Sequence, residues 1–320
     1  MNGFATGVSD ALGDSPTGET LLSYIKTQKE EVLRKAFDGL VNENVSRLRR
    51  QKRRFRMPLP VAVDLHDVMY YGDHDSTRMV IGTKPTSGSC YAFEYLTASV
   101  LADGERLIVA VVSLRSRKEI PARTAEIIRR LREELRLRIR YLVFDGGFFN
   151  TAILRPLEGS KLGYIVRIAP TSKTKRMKTW HGRRFRYTTS GHRRKESEQA
   201  SFDVVVVVDE SKGYKYLFAT NLPHHYRPET ILELYKTRWG IETSYRMSNQ
   251  FLIRTTSRNY TVRLFYYLFA CLAYNAWIMY NNRSDGTGKE ISIGVIQLKI
   301  TLLIGLMISG MPYVTERKHT

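Results

Sequence analysis

Two short apolar runs in this chain each end in an aspartate: Val61-Ala-Val-Asp64 and Leu142-Val-Phe-Asp145. Runs rich in β-branched and aromatic residues, four to eight long, read as buried strands. A carboxylate embedded in such a run is costly unless something pairs with it. The two acids reach one place only if their strands are neighbours in one sheet. Between them, residues 91–101 and 106–114 are strand-like and joined through Asp103-Gly104, a hairpin signal. Pro121 then opens a helix at its first turn, with Ile128, Leu131 and Leu135 as its apolar stripe. The order from 61 to 145 is therefore strand, strand, strand, helix, strand. A crossover through the helix lets the first and last strands lie side by side. The segment after Leu65, rich in Asp, His, Tyr and Gly, reads as a long loop.

The rest of the chain divides around this unit. Leu21, Leu22, Ile25, Val32, Leu33 and Phe37 recur at helical spacing, which predicts one or two helices over residues 20–50. Pro58 and Pro60 mark a boundary after them. Residues 164–168, 185–188, 202–209 and 216–221 are strand candidates, with a turn at Lys212-Gly213. Helices return after Pro228. The division expected is a helical basic region 1–58, a first catalytic part 59–150, a β-rich insertion 151–225, a second catalytic part 226–285, and a C-terminal helix and tail 286–320. The class is α/β: a mixed sheet flanked by helices.

A third acid, Glu242, falls in a segment that reads as one helix over residues 229–250. Tyr235, Arg238, Glu242 and Asn249 follow one another at intervals that put them on one face at about 3.6 residues per turn. Asp, Asp and Glu in this order suit two hard cations held over a phosphodiester, because Mg²⁺ takes oxygen ligands and keeps several waters. Gly146 and Gly147 beside Asp145 leave room for a close approach. Two readings stay open for each acid. Asp64 and Asp145 are either ligands or ordinary strand-end residues. Glu242 is either a ligand or half of a solvated helical pair with Arg238.

The charge balance points to a polyanionic partner: 51 Lys and Arg against 31 Asp and Glu give +20. The excess is clustered. Residues 47–56 hold Arg53 and Arg54 among seven basic side chains, and residues 173–195 hold ten Lys or Arg with no acid. Trp180, Phe185 and Tyr187 are interleaved with Arg183, Arg184 and Arg186, so phosphate gripping and base stacking can share one surface. Cys90 and Cys271 stand far apart and suggest neither a disulfide framework nor a zinc site. Residues 1–17 lack the pattern of a signal peptide. The apolar stretches 264–280 and 291–309 read as buried helices rather than membrane spans, which need about 20 apolar residues. His66, Asp67, Asp73, His74, Asp75 and the His224-His225 pair read as loop residues, with Asp67 a weak alternative ligand.

With these residues in place, a resemblance can be stated. Tyr235-x2-Arg238-x3-Glu242 is similar to the Y-x2-R-x3-E-x6-K signature of DDE transposases from prokaryotic insertion sequences; the lysine position is Asn249, with Arg246 one turn earlier. Asp64-Leu-His-Asp67-Val-Met-Tyr-Tyr71-Gly72-Asp73 resembles the first-aspartate motif of that family, and Asp145-Gly-Gly-Phe148 the second. The resemblance implies a ribonuclease-H-like fold interrupted by a β-rich insertion. It implies Asp64, Asp145 and Glu242 as catalytic residues holding two Mg²⁺, with Mn²⁺ able to replace them. Cleavage of element ends and strand transfer into target DNA would follow. Tyr235, Arg238, Arg246, Asn249, Trp180, Arg183, Arg184, Arg186, Arg53 and Arg54 are the candidate DNA contacts. The partner expected is double-stranded DNA, bound by at least a homodimer in the cytoplasm, with no membrane and no small-molecule substrate. The alternatives are a DNA-binding relic or regulator, and a nuclease that cuts without joining.

Overall fold

The structure is a computed structural model that describes residues 18–86, 88–102, 105–169, 174, 177, 179, 182–189 and 199–281. The chain divides into two compact units. One is Asp38–Arg246 and holds every strand found among the described residues; the other takes the described residues before and after it, 18–37 and 247–281.

Among the described residues there are nine strands: β1 (Leu59–Met69), β2 (Val80–Thr86), β3 (Ser89–Ala102), β4 (Glu105–Ser113), β5 (Ile139–Phe144), β6 (Tyr164–Arg167), β7 (Arg184–Thr188), β8 (Ser201–Asp209) and β9 (Tyr214–Thr220). They form one sheet in the order β2-β3-β1-β5-β6-β9-β8-β7, with β4 also paired to β3. β1, β5 and β6 are mutually parallel and the other pairs antiparallel. The strands of the segment 163–221 thus continue the same sheet. The central ones are buried on both faces, which is why β5 and β8 are nearly continuous apolar runs.

The helices are α1 (Gly18–Thr27), α2 (Glu30–Gln51), α3 (Ile120–Arg129), α4 (Thr151–Gly159), α5 (Pro228–Lys236), α6 (Trp239–Ser248) and α7 (Tyr260–Asn281). α3 runs on into one π-helical turn, Arg130–Glu134. Ile231, Leu232 and Tyr235 of α5 pack on Tyr141, Val143, Ile165, Val205, Val207, Tyr216 and Phe218, the alternate residues of four neighbouring strands. Ile241 and Tyr245 of α6 pack on Ala62 and Leu101. α3 contacts β3, β4 and α4. On α4, Glu158 accepts a hydrogen bond from the Tyr164 hydroxyl, which projects from the other face of the sheet. Arg130, 5% exposed, pairs with Asp38 at 2.9 Å and Glu134 at 2.9 Å, tying α2 to the π turn.

Three local expectations change. β1 runs to Met69, so His66 and Asp67 lie on a strand and not in a loop. His66 is buried with its ring 4.3 Å from that of Tyr245, while Asp67 accepts a hydrogen bond from Thr83 of β2 at 3.0 Å. β2 is an additional strand; as an exposed edge it tolerates Gly82, Lys84 and Pro85, which hide it from a pattern search. The helix expected over 229–250 is broken at Thr237 and Arg238. There Thr237 Oγ1 donates to Leu234 O at 2.6 Å, and the Gly240 and Ile241 amides bond three residues back, to Thr237 O and Arg238 O.

Two turn expectations hold. β3 and β4 pair antiparallel with Ala102 opposite Glu105, and Asp103-Gly104 between them lies outside the described residues. Gly213, at φ +61°, takes the left-handed position in the β8–β9 turn. Cys90 and Cys271 are free thiols. α7 is long and apolar enough to cross a membrane, but 56% of that stretch is buried inside the protein. The apolar stretch 291–309 falls outside the described residues.

Candidate active site

The register of three parallel strands builds the floor of the site. Val63 lies opposite Phe144, and Phe144 opposite Val166. The next residues along are Asp64, Asp145 and Arg167, so these three form a row on the face covered by α5 and α6. Asp145 stands before a short 3-10 turn, Gly146–Phe148, yet its side chain makes no capping hydrogen bond. A Cβ at Gly147 would meet nothing within 4 Å, and one at Gly146 only ordinary contacts. The protein's own packing therefore does not require these glycines.

The α5–α6 joint brings the third acid over this floor. Arg238 sits in the joint and is 5% exposed. Its Nη1 donates to Asp64 Oδ2 at 2.6 Å, and its Nη2 to Glu242 Oε1 at 3.2 Å; Nη2 also lies 3.9 Å from Asp145 Oδ1. The Tyr235 hydroxyl donates to Asp145 Oδ1 at 3.2 Å, and the Leu65 amide to Asp64 Oδ1 at 2.9 Å. Three acids widely separated in sequence thus converge on one guanidinium. Among the described residues, the only trio of acid or histidine ligand atoms within 4.8 Å of one another is the exposed Asp73, His74 and Asp75. Asp64, Asp145 and Glu242 meet at Arg238 rather than at each other.

Burial pushes the Asp64 carboxyl up to about 6; Arg238 opposes the rise and Asp145 adds to it. Burial also lifts the Tyr235 hydroxyl to about 12, against the pull of Arg238. Burial works against the charge on Arg238 itself, yet Asp64, Tyr235 and Asp145 hold its pKa above the ordinary arginine value. The donor set fits a hard divalent cation: three carboxylates, with no thiolate and no imidazole among them.

Two features escaped the sequence reading. Arg167 ends the run Tyr164-Ile-Val-Arg167, the same pattern that marks Asp64 and Asp145 but with opposite charge. Its guanidinium lies 5.4 Å from the centre of the Tyr216 ring and feels Asp145 and Tyr235. The second is the support under α6. Thr97 lies opposite Asp64 on β3, and its hydroxyl hydrogen-bonds that of Tyr245, one turn after Glu242. Only the spacing of Tyr245 from Glu242 could have hinted at this.

The β8–β9 turn grips the joint on both sides of Arg238. Lys236 Nζ is 2.9 Å from the buried Asp209, and Lys212 Nζ lies 3.9 Å from the centre of the Trp239 ring.

The basic candidates are spread more widely. Arg53, Arg183 and Arg246 are exposed, as is Asn249, and Arg54 is half-buried. Arg184 is committed to Asp203 at 2.8 Å and to the carbonyls of Leu222 and Pro223. Arg186 reaches Asp203 at 3.3 Å and Glu158 at 3.5 Å but stays 56% exposed. His224 is an exposed loop residue 3.3 Å from Asp203. Trp180 lies outside the described residues.

Comparison with known proteins bears on this geometry. Residues 69–276, more than half of the chain, match the family described as the transposase DDE domain. The match takes in Asp145 and Glu242 and begins just past Asp64. No protein with a curated description matches. Among solved structures, a piggyBac transposase in a synaptic complex with hairpin DNA is similar at a TM-score of 0.56 and 11% identity. The similarity covers 80% of this chain and 54% of that one, so this chain spans about half the length of that protein. The likeness is one of fold, a mixed sheet flanked by helices of the ribonuclease-H-like class. With more than half of its length matched, the chain belongs to the transposase DDE domain family.

Proposed function

We propose that this chain is the transposase of an insertion sequence, cleaving the element's DNA ends and joining them to a target. The observation that carries this reading is the convergence of Asp64, Asp145 and Glu242 on Arg238. Those acids would hold two Mg²⁺, or Mn²⁺ in their place, which supply Lewis-acid stabilisation of the attacking and leaving oxygens. Tyr235 orients the Asp145 carboxylate through its hydroxyl. Water attacks a phosphorus at the element end, the P–O3′ bond breaks, and a 3′-OH is released. That hydroxyl then attacks a target phosphorus, so one P–O bond forms as another breaks.

Arg53, Arg54, Arg183, Arg186 and Arg246 supply positive charge for the phosphates, and Trp180 an aromatic face for an unstacked base. Arg184, bound to Asp203, has less charge to spare. Double-stranded DNA is the partner, and two ends brought together call for a homodimer on DNA. The domain division follows the sequence: a basic helical region 1–58, catalytic parts 59–150 and 226–285, the β-rich segment 151–225 and a tail 286–320. The site of action is the cytoplasm, on the chromosome.

The test is Mg²⁺-dependent cleavage of DNA carrying the element's ends, wild type against Glu242→Gln. Cleavage lost in the variant, with joined products from the wild type, is the expected result. Cutting without joining would leave a nuclease. Asn249, standing at the signature's lysine, favours one further reading, a DNA-binding relic or regulator. Tight binding without cleavage in Mg²⁺ or Mn²⁺ would establish that reading instead.

A further inference from the structure

We infer that Arg238 is an exchangeable counter-ion: it must release Asp64 before a divalent cation engages that carboxylate. The inference rests on the carboxylate reading above. Both oxygens of Asp64 are already in use, Oδ2 by Arg238 Nη1 at 2.6 Å and Oδ1 by the Leu65 amide at 2.9 Å. The same guanidinium reaches Glu242 and comes near Asp145. A divalent cation bound to these acids and a guanidinium still centred among them would repel each other in a poorly solvated place. The two therefore compete for Asp64. Arg238 also has a donor to spare. Its Nε is buried and makes no hydrogen bond, so its donor set is not filled by the three acids.

The backbone is built to let the side chain move while the joint stays put. Arg238 lies in the break between α5 and α6, and a residue on each side of it is held from outside, Lys236 by Asp209 and Trp239 by Lys212. Loss of the ion pair and gain of the cation at Asp64 are then linked.

The experiment is a Mn²⁺ titration of the whole chain by calorimetry at about pH 8, where carboxylates are ionised. Arg238→Met should tighten Mn²⁺ binding by about tenfold, within the usual range of coupling between sites. Asp64→Asn should weaken it in either background. If Asp64→Asn leaves Mn²⁺ binding unchanged, the carboxylate reading itself is wrong. If Asp64→Asn weakens it but Arg238→Met does not tighten it, the exchange is wrong and the metal site stands. Should Arg238→Met fail to fold, the wild type answers alone. The guanidinium signals of nitrogen-labelled arginine, assigned with Arg238→Lys, should lose their ion-paired character as Mg²⁺ saturates the site. Signals that stay fixed through saturation overturn the inference.

Discussion

Asp64 and Asp145 are held by the sheet, Glu242 by a helix. Asp64 lies within β1 and Asp145 directly after the adjacent parallel β5, and hydrogen-bonded register sets their relative position. Glu242 lies in the first turn of a ten-residue helix that reaches the site through a break in the backbone. Side-chain exposure follows the difference: 13% for Asp64, 41% for Asp145 and 61% for Glu242. The sheet acids are fixed before any side chain is chosen. The helix acid depends on Arg238, Tyr245 and the β8–β9 turn. One half of the site is set by backbone, the other is adjustable.

The contrast is broken most severely by removing the acids one at a time. Asp64→Asn, Asp145→Asn and Glu242→Gln should each cut cleavage by about a thousandfold, the equivalent of several kcal/mol of lost charge stabilisation. Their stabilities should differ. Asp64→Asn removes a charge that burial disfavours and should leave stability in urea at pH 8 unchanged or raise it by about 1 kcal/mol. Glu242→Gln should cost about 0.5 kcal/mol, since its pair is largely solvated. Equal losses at both positions would erase the distinction. A milder change is Tyr235→Phe, which removes the hydroxyl that orients Asp145. Cleavage should fall by about tenfold, as for the loss of an outer-shell hydrogen bond, with the fold intact by circular dichroism.

pH sharpens the same contrast. Burial holds the folded pKa of Asp64, about 6, above the ordinary carboxylate value. Between these values the folded protein binds more protons at this carboxyl than the unfolded chain does. Its contribution to stability is therefore greatest below that window and declines as pH rises through it. Metal binding needs the ionised form, so cleavage should rise with pH through about 6. A profile with no inflection there would mean that Asp64 titrates elsewhere. The smallest effect expected is from Asn249→Lys. One added phosphate contact should steepen the salt dependence of DNA binding by about one unit and leave cleavage chemistry alone.

The sheet half of the site was legible in the sequence because burial on both faces forces long apolar runs, and an acid at the end of one stands out. β5 needed no partner to be recognised. The helix half was less so. The spacing of Tyr235, Arg238 and Glu242 put them on one side, but the break at Thr237 is invisible to periodicity, since a shift of a few tens of degrees keeps the same residues facing in. β2 was hidden because an exposed edge strand need not alternate. His66 looked like a loop residue until Tyr245, nearly 180 positions later, was seen to cover it. Arg167 carries the same run-end signature as the acids but with the opposite charge, so a pattern built on carboxylates does not include it.

The row Asp64, Asp145 and Arg167 works as a ruler. Neighbouring strands lie about 4.8 Å apart whatever their side chains, so the pitch of these charges is graduated in backbone hydrogen bonds. Apolar residues behind the row can drift through many substitutions without changing that pitch. A single residue inserted or deleted within β1, β5 or β6 is another matter: it would turn the charge to the opposite face. A lineage built on such a site should forgive replacements in these three strands and almost never a change in their length.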